Sequence, residues 1–178
     1  MAEPKQLLVD TATQPDWIAI AHLNVWAYRE FSVDLGTEVW PEIVRKLTSV
    51  GPAAGRATFF VVRNGEDLLG SVAYRPPGSS LSPVPPAWAS IDLLAVSPAA
   101  RGQGVGAALV SACIDRAGAD GATTIGASVS GLMTAAQGLF SGLDFHREQG
   151  LAKRGAQPYW LYRKVLRVQP AGVALEEV

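Results

Sequence analysis

The stretch Ile91-Asp92-Leu93-Leu94-Ala95-Val96-Ser97-Pro98-Ala99-Ala100-Arg101-Gly102-Gln103-Gly104-Val105-Gly106 decides the fold. It reads as a short apolar strand, a proline-marked break, a glycine-rich loop and the start of a helix that continues through Ala107-Ala108-Leu109. A strand–loop–helix corner leaves the first amides of the helix without carbonyl partners, and such amides attract an anion. Glycines at 102, 104 and 106 let the backbone approach a ligand and take conformations closed to residues with a Cβ, while Arg101 adds a positive charge. The expected guest is a phosphate or pyrophosphate.

Three phosphate-binding patterns compete for this loop. A Walker loop ends in Gly-Lys-Ser/Thr, which does not follow here. The dinucleotide pattern G-x-G-x-x-G/A is formally met by Gly102, Gly104 and Ala107, but it needs an acid at the end of the next strand. The candidate for that strand, Thr123 to Val129, has none. The third pattern is Arg/Gln-x-x-Gly-x-Gly/Ala after an L-A-V-like triplet and a proline. Arg101, Gly104 and Gly106, preceded by Leu94-Ala95-Val96 and Pro98, meet it.

On these residues the chain resembles the GNAT superfamily of N-acetyltransferases. The resemblance implies one α/β (α+β) domain with a mixed, mostly antiparallel sheet, splayed between its two middle parallel strands and flanked by about four helices. It implies acetyl-coenzyme A as co-substrate, with the pyrophosphate on the loop amides. Leu94, Ala95, Val96, Arg101, Gly102, Gln103, Gly104, Val105, Gly106 and Phe140 are the corresponding coenzyme-binding candidates.

Composition sets the outer limits. At 178 residues, 48% of them hydrophobic, the chain suits a single domain with a sizeable core. A net charge of -1 gives no broad attraction to nucleic acid or an anionic membrane. A lone cysteine excludes an internal disulfide and a cysteine-built zinc site, so no metal is expected and a reducing compartment is. Without a membrane-length apolar run or a signal-like start, the reading is cytoplasmic. The domain is expected over 1–167, and 168–178, which lacks periodicity, reads as a loose tail.

Taken in order, Gln6 to Val9 reads as a strand, and Thr13-Gln14-Pro15-Asp16 caps a helix through about Arg29. Glu30 to Gly36 reads as a break and Thr37 to Thr48 as a second helix, with Pro41 in its first turn. Thr58 to Val62 and Leu68 to Tyr74 flank Asn64-Gly65, a hairpin signal. Residues 76 to 86 carry too many prolines for a regular element and read as a surface loop, which the resemblance places at the border of the acceptor cleft. In the following helix, Val105, Ala108, Leu109, Ala112 and Cys113 mark a buried face, which makes Cys113 inert. Gly126 within the next strand signals a splay or a close approach. Leu132 to Leu143 is a short helix, and residues 145–150 and Tyr159 to Leu166 complete the sheet, with a turn at Lys153 to Gly155.

Transfer of an acetyl group to an amine needs a neutral nitrogen, and an alkylammonium of pKa ~10 gives up its proton at neutral pH only at a cost of roughly 4–5 kcal/mol. Asp92, in the strand entering the loop, and Glu30 are the candidate bases, with His146 behind them. By resemblance the Leu94 amide meets the developing oxyanion, and Trp26, Tyr28 and Phe31, with Glu30 and Asp34, face the acceptor. The family's asparagine, tyrosine and glycine after the splay are replaced by Met133, Phe140 and Asp144. Phenylalanine cannot protonate a leaving thiolate, so Tyr28, Tyr159, Tyr162 or water would have to. The leading expectation is direct acetyl transfer to a primary amine, with a small molecule as partner. A non-catalytic acyl-coenzyme-A module and a protein N-acetyltransferase are the alternatives, and a homodimer stays open.

Overall fold

The computed structural model describes residues 7–81, 83–154 and 157–167, with 149–154 as backbone alone. Seven strands run in the order β1-β2-β3-β4-β5-β7-β6. They are β1 Val9–Thr11, β2 Thr58–Asn64, β3 Asp67–Arg75, β4 Ala89–Val96, β5 Thr124–Ser130, β6 His146–Arg154 and β7 Gln157–Val165. Helices α1 Trp17–Tyr28, α2 Ser32–Thr48, α3 Val105–Ala119 and α4 Thr134–Gly142 flank them. Every neighbouring pair is antiparallel except β4 and β5.

Period-2 alternation assigns the two faces. Phe60, Val62, Val72, Tyr74, Ile91, Ile125 and Ala127 cluster with Val105, Leu109 and Cys113 of α3. Phe59, Val61, Ala73 and Leu93 cluster with Ile20 of α1 and Leu47 of α2. Asn24 is wholly buried between α1, α2 and β3: its amide donates to the Leu47 carbonyl at 2.9 Å, and its oxygen accepts from the Ser71 hydroxyl at 3.1 Å. At the start of α1 the Asp16 carboxylate accepts from the Thr13 amide at 2.7 Å and pairs with Arg63.

Close packing of α3 on β3 depends on Gly70. A Cβ there would lie 2.6 Å from Val105 Cγ1, 2.9 Å from Leu109 Cδ1 and 3.1 Å from the Ala95 carbonyl oxygen. Gly70→Ala is therefore expected to destabilise the fold by about 2–3 kcal/mol through overpacking, read as a lowered urea midpoint at unchanged slope.

Several element boundaries move. The first strand is Val9–Thr11 rather than Gln6 to Val9, because its pairing with Phe60 to Val62 sets the register. The expected break at Glu30 to Gly36 is a 3-10 turn, Arg29–Phe31, followed by the first turn of α2. The true interruption is Gly36 alone, at φ 73°, after which the helix resumes at the expected place. β6 and β7 extend further toward each other than expected, to Arg154 and from Gln157, and the turn residue Gly155 lies outside the described residues. So do residues 168–178, the expected tail. No helix among the described residues is long and apolar enough to cross a membrane.

Candidate active site

The parallel strands β4 and β5 pair only at Ala89, Ser90 and Ile91 with Ile125, Gly126 and Ala127. Beyond these residues they diverge, and a cavity of about 1040 Å³ opens between their ends, reaching from the glycine loop to the end of α1 and the 76–88 loop. The divergence begins after Gly126 rather than at it. A Cβ at Gly126 would meet the Trp88 indole at 2.9 Å, so this glycine marks the close approach of a ring and not the splay.

β4 carries the decisive irregularity. Ala73 lies opposite Asp92 and Ser71 opposite Ala95, so Leu93 and Leu94 together face one residue of β3. This bulge puts Leu93 at φ 51°, an uncommon conformation for a residue with a branched side chain. It also takes Leu94 out of the regular ladder, and Leu94 lines the cavity. Tyr28 fastens the bulge from α1 by donating its hydroxyl proton to the Leu94 carbonyl at 3.0 Å. Burial first, then the charge of Asp92 and the neighbouring Tyr159, push the Tyr28 phenol above its ordinary value, which keeps it protonated as a donor.

Asp92 lines the cavity with its side chain 19% exposed. Its Oδ1 accepts from the Leu93 amide at 3.0 Å and pairs with Lys46 Nζ at 3.0 Å. No bond to Oδ2 occurs among the described residues, so one carboxylate oxygen remains to take a proton.

The loop has the form a pyrophosphate needs. Gly102 at φ 75° and Gly104 at φ 82° are left-handed, and Gly104 caps α3. Val105, Gly106 and Ala107 form the first turn, where no carbonyl lies one turn earlier, and all three line the cavity. Gly106 is glycine for space, since a Cβ would stand 3.0 Å from Leu139. These amides, together with the cleft that opens between β4 and β5, fit a coenzyme whose acyl arm passes the Leu94 amide.

The remaining candidates divide between those that line the cavity and those that stand apart from it. Arg101 lines the cavity, and it also donates to the Ala27 carbonyl at 3.2 Å and pairs with Glu30 at 2.6 Å, which ties the loop to the end of α1. Glu30 is engaged in that pair and half exposed. Gln103 donates to the Ala99 carbonyl at 3.0 Å and stands apart from the cavity lining. Trp26 also stands apart, 54% exposed, because two helical steps turn it about 200° from Tyr28. Tyr28 and Phe31 do line the cavity, with ring centroids 6.3 Å apart. Asp34 and His146 are exposed and absent from its lining. Phe140 lines it and packs on Phe145 and Tyr162 at 5.0 and 5.9 Å. Cys113 is fully buried, and burial pushes its thiol well above the ordinary range.

Lys46 had no place in the sequence reading of the cleft, whereas the proline-rich loop was expected to border it. Lys46 reaches Asp92 from α2, and Leu81 and Val84 of the proline-rich loop line the cavity. The loop's prolines and its position between two strands of one sheet were the signal for the last two. Lys46 had none, because its partner lies 46 residues away.

Residues 17–145 match the family model of the acetyltransferase (GNAT) family. Among solved structures, a GCN5-related N-acetyltransferase from Kribbella flavida is 28% identical, covering 92% of this chain and 100% of its own, with a TM-score of 0.67. The yncA protein of Salmonella typhimurium, solved with its cofactor acetyl-CoA, is 18% identical over 96% and 99% of the two chains, with a TM-score of 0.66. The ribosomal-protein-S18-alanine N-acetyltransferase of Escherichia coli is 17% identical over 96% and 99%, with a TM-score of 0.64. Among curated proteins, none matches this chain.

Proposed function

Because the chain belongs to the GNAT acetyltransferase family, we propose that it transfers an acetyl group from acetyl-coenzyme A directly to a primary amine of a small molecule, both substrates being bound together. The observation that carries this reading is that one cavity is lined both by Gly104 to Ala107 of the glycine loop and helix start and by Leu94 and Asp92 of β4. A donor held at one end and an amine at the other would meet at the bulge.

When bound, the coenzyme supplies a thioester-activated acetyl group. The amides of Val105, Gly106 and Ala107 hold its pyrophosphate, aided by the N-terminal end of the α3 dipole. The Leu94 amide stabilises negative charge as it develops on the carbonyl oxygen. Asp92 Oδ2 takes the proton that the acceptor ammonium must lose, directly or through water, so that the nitrogen can bond to the carbonyl carbon while the carbon–sulfur bond breaks. Tyr28 holds the bulge in register. Phe140 contributes packing and no proton; the sulfur of a thiol of pKa ~8.5 leaves as thiolate without a dedicated side-chain acid and takes up, through water, the second proton that the nitrogen loses as the amide forms.

Thiol release from acetyl-coenzyme A, measured across a panel of amines at pH 7–9, is expected to be amine-dependent and to rise with pH as free amine appears. Coenzyme binding without amine-dependent release would instead identify a non-catalytic module.

A further inference from the structure

A second, smaller hollow of about 480 Å³ adjoins the cleft and shares Lys46, Leu81, Asp92 and Leu93 with it. Its remaining walls are Glu42, Arg45 and Ser49 of the C-terminal end of α2, and Arg75 at the end of β3. Arg75 lies opposite Ser90, and Ala73 opposite Asp92, so Arg75 and Asp92 are diagonal neighbours on one face of the sheet.

Arg75 is the anomaly. It is only 7% exposed, and a buried guanidinium is ordinarily paired with a carboxylate. Among the described residues no carboxylate lies within ion-pairing distance of it. Its Nη1 donates to the Ala54 carbonyl at 2.8 Å, and its Nε has no partner. The hollow's other charges do not supply one: Lys46 and Asp92 pair with each other, while Glu42 and Arg45 are exposed on α2. What remains is a desolvated cation with an unused donor, beside the carboxylate assigned to deprotonate the amine.

We propose that Arg75 binds a carboxylate carried by the acceptor itself, so that the substrate class is small amino acids rather than simple amines. This rests on the acetyltransfer reading above. A planar carboxylate in the hollow matches the guanidinium's fork, of which the Ala54 carbonyl takes Nη1 alone. With the carboxylate in the hollow, the amine of the same molecule lies toward Asp92 and the cleft. The exposed Arg45 adds charge at the hollow's mouth.

The test compares each amino acid, α, β and γ, with the amine obtained by removing its carboxylate and with the corresponding phosphate ester of an amino alcohol. The wild-type protein is expected to show at least about tenfold higher kcat/KM for one amino acid over its decarboxylated partner, expressed mainly in KM, since a charged hydrogen bond contributes about 1.5–3 kcal/mol. In Arg75→Lys, which keeps the charge but loses the fork, the ratio of kcat/KM for the amino acid to kcat/KM for its decarboxylated partner should fall toward one, read on protein whose urea midpoint shows it folded. An equal or reversed wild-type preference overturns the proposal, and a preference for the phosphate ester overturns its assignment to carboxylate. Titration calorimetry of N-acetyl amino acids against N-acetyl amines, in the presence of coenzyme A, reads the subsite without turnover. Carboxylate-dependent binding with no thiol release would sink the enzymatic reading alone, whereas release with no carboxylate dependence in either assay would sink the subsite alone.

Discussion

Gly104→Val is expected to raise the dissociation constant for coenzyme A by at least about 100-fold while the chain stays folded. Gly104 holds φ 82° and ψ 3° immediately before α3. A left-handed residue with a Cβ costs roughly 1–2 kcal/mol, and a β-branched one is a genuine outlier there. The loop escapes that strain by moving position 104 out of the left-handed region, which turns the amides of Val105 and Gly106 away from the cavity. Hydrogen bonds to a charged group contribute about 1.5–3 kcal/mol each, so the loss of two corresponds to roughly 10²- to 10⁴-fold in affinity. Space is not the cause, because the nearest atom to a Cβ at 104 is Leu7 Cδ1 at 3.8 Å. Asn tolerates the left-handed conformation better than Ala or Val, so affinity should fall in the order Gly, Asn, Ala, Val. Gly138→Ala serves as the control: it lies within α4 with open space around its Cβ position. Calorimetric titration with coenzyme A reads the series, and a Gly104→Val protein binding like wild type would show that the loop does not hold the coenzyme.

That loop was legible in the sequence because everything that defines it is local. The strand, Pro98, the glycine spacing and the helix start lie within 16 consecutive residues, and each has its own conformational signature. The cleft beyond it was legible only in outline. Nothing in Leu93-Leu94 announces a bulge, since the irregularity exists only relative to the register of β3. Arg101 reads only as an anion ligand in the sequence, and the fold shows that, while lining the cavity, it also reaches the Ala27 carbonyl and Glu30. Trp26 and Tyr28 are equally aromatic and only two residues apart, and helical rotation alone turns one to solvent and the other to the cleft. Arg75 ends an ordinary hairpin strand, and it becomes notable only when Ala54 and the end of α2 bury it without a counter-charge. Asp144 carries a similar lesson. It stands where the resemblance calls for glycine, and its φ of 62° is left-handed, a conformation that glycine takes freely and that Asp is one of the few other side chains to accommodate.

Asp92→Asn is expected to lower kcat/KM about 10²- to 10⁴-fold at neutral pH, the range ordinarily supplied by a positioned base. The amide keeps an oxygen for the Leu93 amide, so the bulge and the coenzyme affinity should persist. What disappears is the capacity of Oδ2 to accept the acceptor's proton. The amine must then lose it to bulk solvent, which becomes easier as pH approaches the amine's own value near ~10. The deficit of the variant should therefore narrow as pH rises from 7 toward 9.5, a trend that a merely structural defect would not produce. Lys46→Met separates the two functions of the carboxylate: it removes the ion pair at Oδ1 and leaves Oδ2 in place, so it should retain far more activity than Asp92→Asn. The decisive comparison is the pH–rate profile of the three proteins with one amine at saturating coenzyme. If Asp92→Asn and wild type share one profile, the proton leaves by another route and Asp92 serves only to hold Lys46 and the strand.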